Sequence, residues 1–160
     1  MDPQRADLEP RIAVAFASEL ATSPATSLRA ASEIDVGRPP PPFDPALDSP
    51  TVAYLERHAY DLPFLDAESW RIYLPRLLAL AVGSIESPSN AVEGLLSSLR
   101  PPDTSPPRLA SLSARQEAAV VAVLEVLAFA EGSVHSESAC TPLEEWWGAD
   151  PSYRQSRDVA

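Results

Sequence analysis

Proline divides this chain into short segments. Eighteen of the 160 residues are proline, roughly twice the share in ordinary proteins, and clusters stand at 39–42, 101–102 and 106–107. Proline lacks a backbone N–H and its ring clashes with the preceding helical turn, so helix interiors and central strands seldom contain it. The chain is therefore restricted to short elements joined by proline-rich connectors.

The segments between the prolines have the apolar spacing of α-helices. Leu8, Ile12, Phe16 and Leu20 recur every four residues, which places them on one helical face. Further helices are predicted near 28–34, 49–55, 66–81, 87–99, 113–131 and 141–147. Alanine and leucine are abundant, and the sequence lacks the alternation typical of strands. The predicted fold is all-α, a compact single domain of five to seven helices with proline-rich connectors.

The length of the chain fits one domain with one hydrophobic core. We expect a helical domain over 1–160, with its core at about 8–147. The proline-rich connector at 37–48 should be extended, because proline disfavours the helical conformation in the residue before it. The C-terminal tail at 148–160 is expected to be loosely ordered.

Polar residues in front of the apolar stripes predict where the helices begin. The predicted N-caps are Ser27, Ser49, Asp66, Ser87, Ser113 and Thr141. Two of these serines precede a proline, which is favoured at the first helical position. Ser113 with Gln116, and Thr141 with Glu144, have the spacing of a capping box. The second box predicts a short helix near the C-terminal end.

One proline interrupts the clearest apolar stripe. Trp70 and Tyr73 lie on the buried face of the helix predicted to start at Asp66, and Pro75 follows them. Pro75 should kink or split that helix. Kinks expose carbonyl groups that functional sites use. One alternative function is therefore a small-ligand sensor or an enzyme with a site near this kink, built from Glu68, Arg71, Tyr73 and Arg76.

The formal net charge is −11, and Cys140 is the single cysteine. Nucleic acids and anionic membranes attract basic surfaces, so we expect neither as a partner. The most apolar stretch, 118–130, is shorter than the ~20 residues that span a bilayer. A lone cysteine fits a reducing compartment, and residues 1–7 do not begin a secretory signal. The expected location is the cytoplasm.

Residue spacing predicts no catalytic, metal or cofactor site. His58, His135 and Cys140 lack the spacing of a zinc site, and the five glycines are too scattered for a phosphate loop. We expect His135 to be a solvated loop residue and Cys140 an inert thiol. Glu144 and Glu145 are adjacent, so a helix turns them ~100° apart and they form no acid–base pair. An enzyme is not expected.

The segment 116–153 is acidic throughout. It contains no arginine and seven acidic residues, which are Glu117, Glu125, Glu131, Glu137, Glu144, Glu145 and Asp150. An ordinary solvated face explains such a run, but it is also typical of a surface for a basic partner. The candidate partner-binding residues are Glu131, Glu137, Glu144, Glu145, Trp146, Trp147 and Asp150. Adjacent helical positions cannot both face one core, so one tryptophan should be buried and the other half-exposed.

Three stretches carry a family resemblance. They are Ile12-x-x-x-Phe16, then Trp70-Arg71-x-Tyr73-Leu74-Pro75, then Leu109-x-x-Leu112-Ser113-x-x-Gln116, which leads to a C-terminal tryptophan. Together they resemble an uncharacterised bacterial family of small single-domain proteins, a domain of unknown function. The resemblance spans roughly residues 10–147 and implies a helical fold of this size without implying catalytic residues. The proline-rich connector departs from that family's pattern.

The function expected from these features is protein interaction. Its concrete form is an immunity or antitoxin-type protein, which neutralises a cognate bacterial effector by covering a basic surface with the acidic segment. A structural homo-oligomer is a further alternative, beside the ligand site near Pro75.

Overall fold

The computed structural model describes residues 3–152 and 154. These residues form nine α-helices, two 3-10 helices and one π-helical turn, with no strand among them. The α-helices are α1 Pro3–Ala6, α2 Leu8–Ala15, α3 Ala17–Leu20, α4 Leu28–Asp35, α5 Val52–Arg57, α6 Ala67–Gly83, α7 Asn90–Ser98, α8 Ala114–Phe129 and α9 Ser136–Pro142. The 3-10 helices are Ala59–Phe64 and Leu109–Ser111, and the π-helical turn is Leu143–Trp147. Within this described part, none of the helices has the length and apolar character needed to cross a bilayer.

The all-α prediction is confirmed, but the described residues contain more helices than the five to seven expected. The excess lies at the N-terminal end, where the helix predicted over 8–20 is divided into α2 and α3, and the additional helix α1 precedes them. Phe16 separates α2 from α3, with φ −116° and ψ 26°. Leu8, Ile12 and Phe16 are buried as predicted, whereas Leu20, beyond the break, is exposed.

Helix α6 is the centre of the core and packs against α2, α3, α7 and α8. Trp70 is fully buried, and its Nε1 donates to the Ser98 hydroxyl at 3.1 Å. Pro75 is also buried, and α6 continues through it without being split. The apolar stripe predicted for this helix is buried as a whole, at Trp70, Tyr73, Leu74, Leu77, Leu78 and Ala81.

Three predicted N-caps are confirmed. The Ser27 hydroxyl accepts from the N–H of Ala30 at 2.9 Å, and Asp66 accepts from the N–H three residues on at 2.8 Å. Ser113 and Gln116 form both hydrogen bonds of a capping box, at 3.2 and 3.1 Å. These contacts join near neighbours in the sequence and satisfy amides that a helix leaves free at its start.

Two predicted N-caps, Ser49 and Ser87, are wrong by two residues. The hydroxyls of Thr51 and Ser89, which follow the prolines, accept the helical N–H instead, each at 3.1 Å. At α7 the reason is a tertiary contact. The Glu56 carboxylate, on α5, accepts the N–H groups of the first two helical residues at 3.0 and 3.2 Å.

The buried face of α5 differs from the predicted pair of Val52 and Leu55. Val52, expected in the core, is 64% exposed, whereas Leu55 is buried as predicted. Tyr54 fills the position beside it. Val52 is the first residue of α5, and Tyr54 and Leu55 form the buried face of this short helix.

The capping box predicted at Thr141 is absent. Thr141 lies inside α9, which has already begun at Ser136, and its hydroxyl donates to the carbonyl of Glu137 at 3.3 Å. Glu144 is therefore no capping partner. After Pro142 the chain continues directly into the π-helical turn, so the helix predicted at 141–147 is the second half of a longer helical segment that begins at Ser136.

The connector 37–48 is helix-free, as predicted, and is fastened to the helices beside it. Gly37, with φ +75°, follows α4, a backbone conformation that glycine adopts without steric cost. Arg29 donates to the carbonyl of Pro42 at 3.3 Å and, through Nε and Nη2, to both oxygens of Asp48 at 3.0 Å. The connector is thus held at its middle and at its end.

The described part of the C-terminal tail packs against the helices. Arg154 pairs with Glu117 on α8, and its guanidinium carbon lies 5.2 Å from the ring centre of Trp146. Upstream, Ser152 donates its N–H to the carbonyl of Glu144 at 2.9 Å. The rest of the predicted loose tail, at 153 and 155–160, lies outside the described residues.

Candidate functional site

The two adjacent tryptophans differ in burial, as expected. Trp147 is buried and its Nε1 donates to the carbonyl of Leu99 at 2.7 Å. Trp146 is half-buried, packs at the edge of the core, and lies under Arg154. Trp147 therefore belongs to the core rather than to the partner-binding surface predicted for it.

Two carboxylates of the acidic segment are paired. Glu117 binds Arg154, and Glu145 binds Nε of Arg100 at 2.6 Å. Glu145 is half-buried by this contact, which removes it from the set of exposed partner-binding candidates. The other carboxylates of the segment are exposed and make no ion pair among the described residues; they are Glu125, Glu131, Glu137, Glu144 and Asp150.

His135 fastens two turns of the chain to each other. It is 2% exposed, so the expectation of a solvated loop residue is wrong. Its Nε2 lies 3.0 and 2.9 Å from the carbonyl oxygens of Ser84 and Ser87, and its Nδ1 lies 3.1 Å from a carboxylate oxygen of Glu93. Because Nε2 faces two acceptors, it carries a proton and donates. The turn between α6 and α7 is held against the start of α9.

This contact gathers carboxylates from two parts of the sequence. Glu86 extends beside Gly132, the neighbour of Glu131. Glu93 and Glu137 line the same shallow depression between α7 and α9. We call Glu86, Glu93, Glu131 and Glu137 the acidic face. Glu86 and Glu93 lie outside the acidic segment, so no local signal in the sequence pointed to them.

The other two candidate residues of the sequence prediction have ordinary surroundings. His58 bonds Asp61 at 2.9 Å and contacts the Tyr54 ring. Cys140 is half-buried at the edge of the core. Across the described residues, no group of three or more histidine, cysteine and acidic side chains is placed to hold a metal ion.

The polar side chains near Pro75 do not converge. Arg71 pairs with Glu19, with Nε 3.4 Å from the carboxylate oxygen. The others take separate directions: Arg76 donates to the carbonyls of Ile72 and Leu20, Tyr73 accepts from the N–H of Leu28, and Glu68 is exposed. On its buried side, α6 packs against the apolar core around Pro75.

The end of the connector forms a buried polar cluster. Asp48 accepts from Arg29, from the Tyr54 hydroxyl at 3.0 Å and from the N–H of Asp44 at 2.8 Å. Burial acts to raise the pKa of Asp48, but these hydrogen bonds outweigh it and hold the pKa below its usual value. Burial also raises the pKa of Tyr54 far above its usual value. Every group here has a protein partner, so the cluster is structural.

One cavity was not anticipated from the sequence. It has a volume of about 290 Å³ and lies between the 3-10 helix Ala59–Phe64, α7 and the loop 100–109. Arg108 lines it and is almost completely buried. Arg108 follows two prolines in a loop without periodicity, so no pattern marked it as buried.

Comparison with known proteins gives the family of the chain. No curated protein and no solved structure matches it. The model of one protein family matches residues 4–151, which includes all three stretches that carried the resemblance in the sequence. Because this match covers nearly the whole chain, the protein belongs to DUF6714, a family of unknown function.

Proposed function

We propose that this protein is an interaction module whose acidic face binds a basic surface of another protein. The observation that supports this is the gathering of four carboxylates from α7, α9 and the turns that precede these two helices. Glu86, Glu131 and Glu137 make no ion pair among the described residues, and Glu93 contacts His135. Unpaired carboxylates concentrated on one face raise the local negative potential and attract cationic groups.

An apolar contact point lies within the acidic face. Val134 is 52% exposed, stands between Glu131 and Glu137 in sequence, and donates its N–H to the carbonyl of Ile85 at 3.0 Å. Protein interfaces combine a desolvated apolar centre with a polar rim. Val134 stands between Glu131 and Glu137 in the sequence and is bonded to the residue before Glu86, which matches that arrangement.

The acidic face is also preorganised. The buried imidazole of His135 is bonded on both sides, and Gly132 and Val134 belong to the turn that it fixes. A partner that binds such a surface loses little free energy in ordering it. The rigidity of this turn therefore favours a partner that contacts it directly.

The concrete form that we propose is an immunity or antitoxin-type protein that covers a basic surface on a cognate effector. A net charge of −11 on 160 residues supports this, because it steers a basic partner toward the protein and speeds their association.

The proposal is tested by photo-cross-linking from the acidic face. Val134 is replaced by a benzoylphenylalanine residue in the cells that naturally produce the protein, and the cross-linked products are identified by mass spectrometry. We expect one discrete product with a basic protein. The product should disappear in the triple variant Glu86→Gln, Glu131→Gln, Glu137→Gln, which leaves Glu93 and its contact with His135 intact.

Two matched controls accompany this experiment. Val14 is also well exposed but lines a depression with Arg115, at the opposite end of α8, and a photo-cross-linker there should give no such product. The variant Glu9→Gln, Asp35→Asn, Glu68→Gln changes the net charge equally at exposed positions elsewhere and should retain the product. No product at Val134, or a product indifferent to the triple variant, would contradict the proposal.

A further inference from the structure

The cavity beside α7 has the dimensions of a small-molecule site. Its volume of about 290 Å³ is near the lower end of the range typical of ligand pockets. Gly94 allows its back wall to form, because a Cβ at that position would lie 2.3 Å from the carbonyl oxygen of Ala59. The close packing of α7 on the 3-10 helix therefore shapes the cavity.

Arg108 places a buried cation in the wall of this cavity. The residue is 7% exposed, and its Nη2 donates to the carbonyls of Pro63, at 3.1 Å, and Leu65. Its Nε is buried without a hydrogen-bond partner, and the side chain forms no ion pair among the described residues. Burial lowers the pKa of Arg108, and the nearby charges of Asp66 and Asp103 offset this only in part, so the guanidinium is left incompletely compensated.

The nearest acidic side chain of the loop is already fully engaged. Asp103 also lines the cavity, but its carboxylate accepts the backbone N–H groups of Thr104, Arg108, Leu109 and Ala110, at 2.8 to 2.9 Å. It therefore shapes the loop and caps the second 3-10 helix. The guanidinium of Arg108 is left without a carboxylate in contact.

The rest of the lining limits the class of ligand. Pro63, Pro102 and Leu109 supply apolar walls, while Ser97 and Thr104 supply hydroxyls. Glu93 and Arg100, which pairs with Glu145, also line the cavity, and the carboxylate of Glu93 disfavours a multiply charged anion more strongly than a singly charged one. A single carboxylate attached to a small apolar body satisfies one buried guanidinium and fits these walls.

We propose that this cavity binds a small organic monocarboxylate, with Arg108 supplying the charge that holds the carboxylate. The site adjoins the acidic face at Glu93, but the rest of its lining belongs to the 3-10 helix Ala59–Phe64, α7 and the loop 100–109. The guanidinium of Arg108 is almost completely buried, and there an arginine and a carboxylate attract each other more strongly than in water.

The test is a titration of the full-length protein with benzoate and with hexanoate, followed by two-dimensional ¹H–¹⁵N NMR. Saturable shifts are expected for the amide of Gly94 and for the Nε–H signal of Arg108. Benzamide, which has the shape of benzoate without its charge, and inorganic phosphate should not produce them. Equal shifts with benzamide, or none with either carboxylate, would overturn the proposal.

Three variants locate the binding. Arg108→Gln should weaken benzoate binding about tenfold or more, the loss expected for a charged hydrogen bond. Ser97 is exposed at the cavity, so Ser97→Trp should fill it and abolish the shifts without disturbing the core. Arg57→Gln, an exposed change of equal charge, should bind as the parent does. If Arg108→Gln fails to fold, the Ser97→Trp variant decides alone, and unchanged binding in it would overturn the site.

Discussion

Asp48 shows how one residue ties an irregular segment to the fold. Its carboxylate is 1% exposed and accepts four hydrogen bonds, two of them from Arg29. Without them the connector would have no polar anchor at its end. His135 has the same effect at the turn between α6 and α7, where it bonds two carbonyls and a carboxylate.

The lowered pKa of Asp48 predicts a pH dependence of stability. A carboxyl group whose pKa is depressed by folding stabilises the protein above its unfolded pKa of ~3.9, and this contribution is lost as the pH falls through the folded pKa. Asp48→Asn should therefore cost ~1 to 3 kcal/mol at pH 7 and flatten the acid side of the stability profile. Urea denaturation from pH 7 to pH 3 measures both effects. Asp35→Asn, exposed at the end of α4, is the control, and parallel profiles for the parent and Asp48→Asn would contradict the prediction.

At the scale of elements, α6 organises the molecule. It contacts four other helices, and both its N-cap and its buried stripe follow from short-range sequence patterns. Pro75 removes one helical hydrogen bond, yet the helix continues through it because the residues around it are buried in the core. Packing of the apolar side chains outweighs the lost backbone bond.

Removing the largest side chain of α6 should show how strongly the stability of the protein depends on this packing. Trp70→Ala deletes a fully buried side chain that also donates to Ser98, so we expect a loss of ~3 to 5 kcal/mol in the free energy of unfolding. Chemical denaturation of the purified variant measures it. Phe129→Ala on α8, where the ring is largely exposed, should change stability by only ~0.5 kcal/mol or less. Equal losses in the free energy of unfolding for the two variants would contradict the central role of α6.

At the scale of the whole molecule, the net charge and the acidic face predict how binding responds to salt. Screening shortens the Debye length from ~30 Å at 0.01 M to ~10 Å at 0.1 M, so association with a basic partner should slow as salt rises. Dissociation should change much less. Stopped-flow kinetics with the unmodified protein and the purified partner identified by cross-linking at Val134 measures both rates. The Glu86, Glu131, Glu137 triple variant should associate more slowly at low salt, whereas an association rate indifferent to salt would leave the acidic face a solvated surface.

Local signals in the sequence were sufficient for much of the fold. The helical class, the buried stripe of α6 and the Ser113–Gln116 capping box all depend on residues within one or two turns of each other. Such patterns act through the backbone of the same segment. The match to one family over residues 4–151 agrees with the resemblance read from the same stretches.

What the sequence alone determined was therefore the helical class, most of the core and the overall negative charge. Tertiary structure decided the start of α7, where Glu56 from another helix caps it, and the burial of His135 by carbonyls of a distant turn. It also decided which carboxylates share a face and that Arg108 is buried. The physical reason is that these outcomes depend on side chains from separate segments meeting after packing, whereas periodicity and capping report only on neighbours along one segment.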